Sequence, residues 1–177
     1  MRFTALAMAA LLCSTLALAQ QHHPYSGQEQ REIKSLSESE MKSYLEGAGM
    51  GYAKAAELNG YPGPMHVLEL GDQLGLRDDQ KLAMRSLMDS HKAQARAIGA
   101  KVVASEREVE RLFQRGNIDQ EALAKVVGEA ARMQGEYRLA HLETHRRALG
   151  LLTPEQVSKY AVLRGYVTNA RHIPGAS

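Results

Sequence analysis

From Met84 onward, small or apolar residues return at alternating steps of four and three: Met84, Met88, His91, Ala95, Ile98, Val102, Ser105, Val109 and Leu112. That spacing holds one face of an α-helix continuous over roughly four heptads, which a strand with its period of two cannot do. The run predicts a helix from about Asp78 to Arg115, roughly 57 Å long at ~1.5 Å per residue. Gly116-Asn117 breaks it. Asp119 then caps a second run, in which Leu123, Val126, Ala130, Met133, Tyr137, Ala140 or His141, Thr144 and Ala148 keep similar spacing. Two long helices joined by so tight a turn must lie antiparallel. The expected fold class is therefore all-α, a long antiparallel helical hairpin with short flanking helices. The chain carries no βαβ pattern, glycine-rich phosphate loop or internal repeat.

The flanking elements follow from capping chemistry. Ser37 with Glu40 forms a capping box that opens a short helix ending near Gly47. A second covers Met50 to Leu58 and stops at Asn59-Gly60, a favoured left-handed exit. Tyr61-Pro62-Gly63-Pro64 reads as a stiff turn, and Met65 to Leu74 as a brief apolar helix before Gly75. Thr153 caps a last helix with Pro154 in its first position and Gln156 closing the box, running to about Thr168. A hairpin cannot cover both its seam and its outer faces, so a homodimer is expected.

The N-terminus reads as an export signal. Arg2 precedes an apolar run from Phe3 through Leu18, and Ala17-Leu18-Ala19 offers a small-x-small cleavage site. The expected organisation is a cleaved signal peptide over residues 1–19, a polar flexible arm over 20–36, one all-helical domain over 37–170 and a flexible tail over 171–177. The expected location is the periplasm; the alternative is an uncleaved leader that anchors the chain to the inner membrane. Cys13, the only cysteine, lies in the leader, so the mature chain has no thiolate for a metal and no disulfide. Basic and acidic side chains nearly balance once Arg2 is removed, which leaves no field to attract nucleic acid. With no tryptophan and two phenylalanines, the chain also lacks a stacking platform for bases or sugars.

The chemistry concentrates in histidine. His141 and His145 stand at i and i+4 on the second long helix, where both imidazoles project from one face and can share a metal ion. Met88 and Arg146 are equidistant from Asn117, so Met88 and His91 should face the stretch from Glu143 to Arg146, near that pair. His66 is the other histidine able to fold over the same end. Imidazoles suit zinc, copper and nickel, and a thioether adds preference for softer copper. No organic cofactor is implied. The pair is not the zinc-protease motif, because Glu143 projects about 200° around the helix from His141. With no hydrolytic base, nucleophile elbow or paired carboxylates, the expected protein is not an enzyme. Cleavage after Ala19 would place His22 third in the mature chain, a square-planar site for copper(II) or nickel(II).

Leu152-Thr153-Pro154-Glu155-Gln156 matches the LTxxQ motif of the Spy/CpxP family of periplasmic proteins, and Leu76-Arg77-Asp78-Asp79-Gln80 looks like a degenerate first copy. The stretch from Gly49-Met50-Gly51 through Asn59-Gly60-Tyr61-Pro62-Gly63-Pro64 to His66-Val67-Leu68-Glu69-Leu70 resembles a branch described as periplasmic heavy-metal sensor or refolding chaperone. The resemblance covers about Tyr25 to Tyr166. It implies a four-helix, cradle-shaped homodimer that either binds metals or shields unfolded clients without ATP. An inner-membrane signalling protein is a further candidate partner. In the cobalt and nickel sensor of this group, the ligands are a histidine pair before the hairpin, a carboxylate on its first helix, and a histidine and methionine one turn apart on its second. His141 and His145 match that last pair, with histidine in place of methionine. His66 matches part of the upstream pair, with Leu70 at i+4, and the carboxylate position falls at Met88. These departures leave a three-histidine site better suited to zinc or copper. For the chaperone alternative, Arg85, Lys92, Arg96 and Lys101 would present a basic-rimmed surface to client proteins.

Overall fold

A computed structural model of the chain describes residues 24–166. The leader, the His22 site and the 171–177 tail lie outside the described residues. Among those described, helices make nearly all the regular structure and there is no strand: α1 Glu38–Glu46, α2 Lys54–Glu57, α3 Pro64–Glu69, α4 Asp78–Arg115, α5 Gln120–Leu149 and α6 Pro154–Leu163. None of them is long and apolar enough to cross a membrane. The chain divides into a unit ending at Gln30 and a larger unit beginning at Arg31. In the first, a 3-10 turn spans Gln28–Gln30, with the Gln28 side chain donating to the Pro24 carbonyl at 2.9 Å.

The expected hairpin is present, with α4 over the predicted range and α5 capped by Asp119, whose carboxylate accepts from the Ala122 amide at 2.8 Å. Its register matches expectation: a hydrogen bond links His91 to Thr144, one residue from the symmetric pairing with Glu143. Every seam residue predicted on the two helices is buried or partly buried. The Ser37 capping box also forms, and Gly47 ends α1 at φ 71, where only glycine is unstrained. Three expected boundaries shorten. The Met50–Leu58 helix keeps only Lys54–Glu57, and the Met65–Leu74 helix stops at Glu69 before Gly71. The last helix ends at Leu163, because Gly165 takes φ 71.

The expected polar flexible arm needs correction from Arg31 onward. Ile33 is fully buried and Leu36 nearly so, and Glu32 and Lys34 pair with Arg107 at 2.8 Å and Glu110 at 2.7 Å on α4. Two apolar residues three apart are enough to dock a short segment once a helix face is waiting for them.

Two apolar clusters hold the helices together. One joins Tyr44 of α1 to Ala95, Val102 and Val103 of α4 and Met133 and Tyr137 of α5. The other joins Val67 of α3, Met84 and Leu87 of α4, Ala148 of α5 and Tyr160 of α6. The two LTxxQ-like segments meet beside it. Gln80 and Gln156 exchange side-chain amide hydrogen bonds at 2.9 and 3.1 Å, and each also accepts from the backbone N–H at the start of its own helix. Gln80 donates further to the Leu151 carbonyl at 2.8 Å, so these buried amides are satisfied. Arg77 occupies the N-cap position of α4 and its guanidinium turns to Asp79.

Candidate functional site

Along α4, His91 falls between Met84 and Leu87 of one cluster and Ala95 of the other; along α5, His141, Thr144 and His145 fall between Tyr137 and Ala148. At this level the helices bound a 620 Å³ cavity whose walls include His66, Met88, His91, His141 and His145. The five ligand candidates expected at the open end of the hairpin therefore converge. Lys92 and Arg96 also line this cavity, whereas Arg85 does not and Lys101 lies beside Glu129, farther toward the hairpin tip.

Hydrogen-bond partners determine which ring nitrogen of each histidine carries the proton. The Thr144 hydroxyl lies 2.8 Å from the Ala140 carbonyl and 3.0 Å from His91 Nδ1; donating to the carbonyl, it accepts from a His91 ring protonated on Nδ1. His141 Nδ1 lies 2.9 Å from the Tyr137 carbonyl and His145 Nδ1 2.9 Å from the Tyr61 carbonyl, and a carbonyl also only accepts. His66 Nδ1 faces the Glu69 carboxylate at 2.8 Å. Each ring thus commits its Nδ1–H to a protein acceptor, which in the neutral imidazole leaves the Nε2 lone pair uncommitted. Metal-bound histidines are oriented and made more basic in this way. The Nε2 atom of His141 is, moreover, buried with no hydrogen-bond partner, an omission proteins rarely tolerate without a use.

The surroundings of His91 and His141 favour their neutral forms. Burial pushes His91 down to about 4, helped by repulsion from His141 and His145. Burial also lowers His141, against the opposing pull of the Tyr137, Gly47 and Ala48 carbonyls. The two rings stand edge to face with centroids 4.5 Å apart. Tyr137 packs on His141 at 4.6 Å and carries the contact back to Tyr44 and Tyr52, so the ring rests on an aromatic stack. At His145 the site needs space, which Gly63 provides: a Cβ there would lie 3.2 Å from Nε2.

Two features bear directly on metal binding. Uncommitted imidazole nitrogens beside a thioether are a donor set that fits a transition-metal ion. As placed, however, no three His, Cys, Asp or Glu side chains among the described residues are grouped closely enough to hold one. Ligation would need the rings to turn toward a common point.

Glu57 belongs to the site although spacing gave no sign of it. Its Oε2 accepts from the Gly63 amide at 2.9 Å and lies 3.5 Å from His145 Nδ1, while its Oε1 accepts from the Tyr160 and Tyr166 hydroxyls. It sits at the end of a four-residue helix, and only the turn through Gly63 brings it to His145. Thr144 was legible as a seam residue, but its role as acceptor for His91 appears only in three dimensions.

Residues 47–159 match the model of a family described as heavy-metal resistance. No curated protein and no solved structure matches the chain.

Proposed function

The chain belongs to the heavy-metal resistance family, and from that premise we propose that it is a non-enzymatic periplasmic metal-binding protein of metal sensing or resistance. It takes zinc-, copper- or nickel-type ions through His141 and His145, with His91, His66 and Met88 as further donors at the same cavity. It is exported by a cleaved leader and works as a homodimer. The observation that carries the reading is the His141 Nε2 atom, buried without a partner while its Nδ1–H is held by a carbonyl. A neutral ring so oriented offers a lone pair at no cost in deprotonation.

Titration of zinc, copper(II) and nickel into the protein, beside a His141→Ala/His145→Ala variant, tests it. At least one ion should bind the parent more tightly by about a hundredfold, in line with the loss of ligands. Equal affinities would refute the reading.

A second reading, an ATP-independent chaperone, draws on the exposed Lys92 and Arg96 beside exposed Leu58 at the cavity mouth. It requires that the protein suppress aggregation of an unfolded client equally with and without chelator. Suppression abolished by chelator would return the function to metal.

A further inference from the structure

The cavity holds a class of donor that a search for nitrogen and oxygen ligands passes over. Met50, Met65 and Met88 all contribute to its walls. Met50 and Met65 are 40% and 48% exposed there, so the methionines are not simply filling the core. Met50 is also held at φ 46, a left-handed conformation uncommon for a residue with a side chain, between Gly49 and Gly51. Such backbone outliers concentrate where a side chain must be aimed.

The buried carboxylate of the cavity is engaged, and the other faces solvent. Of the carboxylates on the cavity, Glu57 accepts from the Gly63 amide and two tyrosine hydroxyls and lies 3.6 Å from Arg164, while Glu46 lies 3.8 Å from Lys42. Lys92 and Arg96 add positive charge to the same walls. This field opposes a divalent ion more than a monovalent one. The described residues contain no cysteine, so thioethers are the soft ligands within reach.

We propose that the cavity is selective for a soft monovalent cation, copper(I), bound by thioether sulfur from Met50, Met65 and Met88 together with imidazole Nε2 atoms. This rests on the metal-binding reading above and names the ion for that site. Binding involves no electron transfer: copper arrives already reduced and exchanges its previous ligands for protein donors. The absence of a ready group of nitrogen and oxygen ligands is then expected, because those donors are only part of the set.

The test uses the full chain carrying Cys13→Ser, His22→Ala and His23→Ala, which removes the thiol and the two imidazoles near the N-terminus. Anaerobic copper(I) competition against a chromophoric chelator is compared with zinc binding, in this parent and in Met50→Leu/Met65→Leu. Leucine preserves volume, and unchanged circular dichroism and Tm without metal would verify that the fold is kept. Copper(I) affinity should drop by about tenfold or more while zinc affinity moves by less than about twofold. X-ray absorption of the parent's copper(I) complex should show sulfur scatterers whose number falls in the variant. Copper(I) affinity unchanged by the substitutions overturns the inference and leaves the histidine site standing. Equal losses for both ions overturn it as well, by tracing the effect to cavity shape. A parent that binds neither ion overturns both this inference and the metal-binding function.

Discussion

At the tip of the hairpin the seam residues Val109, Leu112, Leu123 and Val126 are only partly covered, and Phe113 and Val127 stand 58% and 47% exposed. In the other half of the same two helices Met84, Ala95, Tyr137 and Ala148 are completely enclosed. The sequence pattern hardly changes between the halves; the covering does. Helices α1, α3 and α6 pack only toward the open end, where they remove water from whatever the seam presents. A heptad seam selects the partner helix, and a third layer decides which of its groups are desolvated. The three histidines of the hairpin, His91, His141 and His145, lie in the covered half, while the tip, from Glu106 to Glu129, contains none.

Glycine substitution should break this contrast most sharply. A Cβ on Gly99 in the covered half would lie 1.9 Å from the Tyr44 carbonyl oxygen, a backbone atom of α1 that cannot swing aside. Gly99→Ala should cost about 3 kcal/mol in urea unfolding as α1 is pushed off. Gly128→Ala, toward the tip, meets nothing within 4 Å and should stabilise the helix by about 0.5–1 kcal/mol. A neutral Gly99→Ala would mean that α1 does not seal the covered half.

The next effect is a pH dependence confined to that half. Unfolded histidine titrates near its ordinary 6.5, whereas burial pushes His91 down to about 4. Between those values the unfolded chain binds more protons, so the stability due to a neutral His91 is complete above pH 6.5. It is lost as the pH falls toward 4, by up to about 1.4 kcal/mol per pH unit. The lowered His141 acts in the same direction. Carboxylates such as Glu40 also lose stabilising contacts in acid, so the comparison is with His91→Gln. The variant's stability should fall less steeply from pH 6.5 to 4; parallel curves would show that His91 is not desolvated.

Much of the scaffold could be read from the chain because its signals are local. Helix starts at Ser37, Asp119 and Thr153 depend on side chains within three residues of the cap, and the α4–α5 register follows from counting outward from Asn117. That count also gathered His91, Met88, His141 and His145. What could not be read depends on contacts between distant segments. Gln80 and Gln156 each look like an ordinary capping residue, and nothing in either predicts that their amides pair across 76 residues. Ile33 and Leu36 sit in too polar a stretch to show periodicity, yet they enter the core. Glu57 and the three carbonyl or hydroxyl acceptors that orient the rings come from backbone geometry, which residue types do not encode.

Long-range proton–nitrogen correlation spectra of the histidine rings at neutral pH, recorded before and after addition of zinc(II) and again with copper(I), address the account most directly. His91 and His141 should appear as neutral rings protonated at Nδ1, and metal should shift their Nε2 resonances while the Nδ1–H signals persist. Rings protonated at Nε2, or Nε2 resonances that stay in place when metal is added, would contradict it.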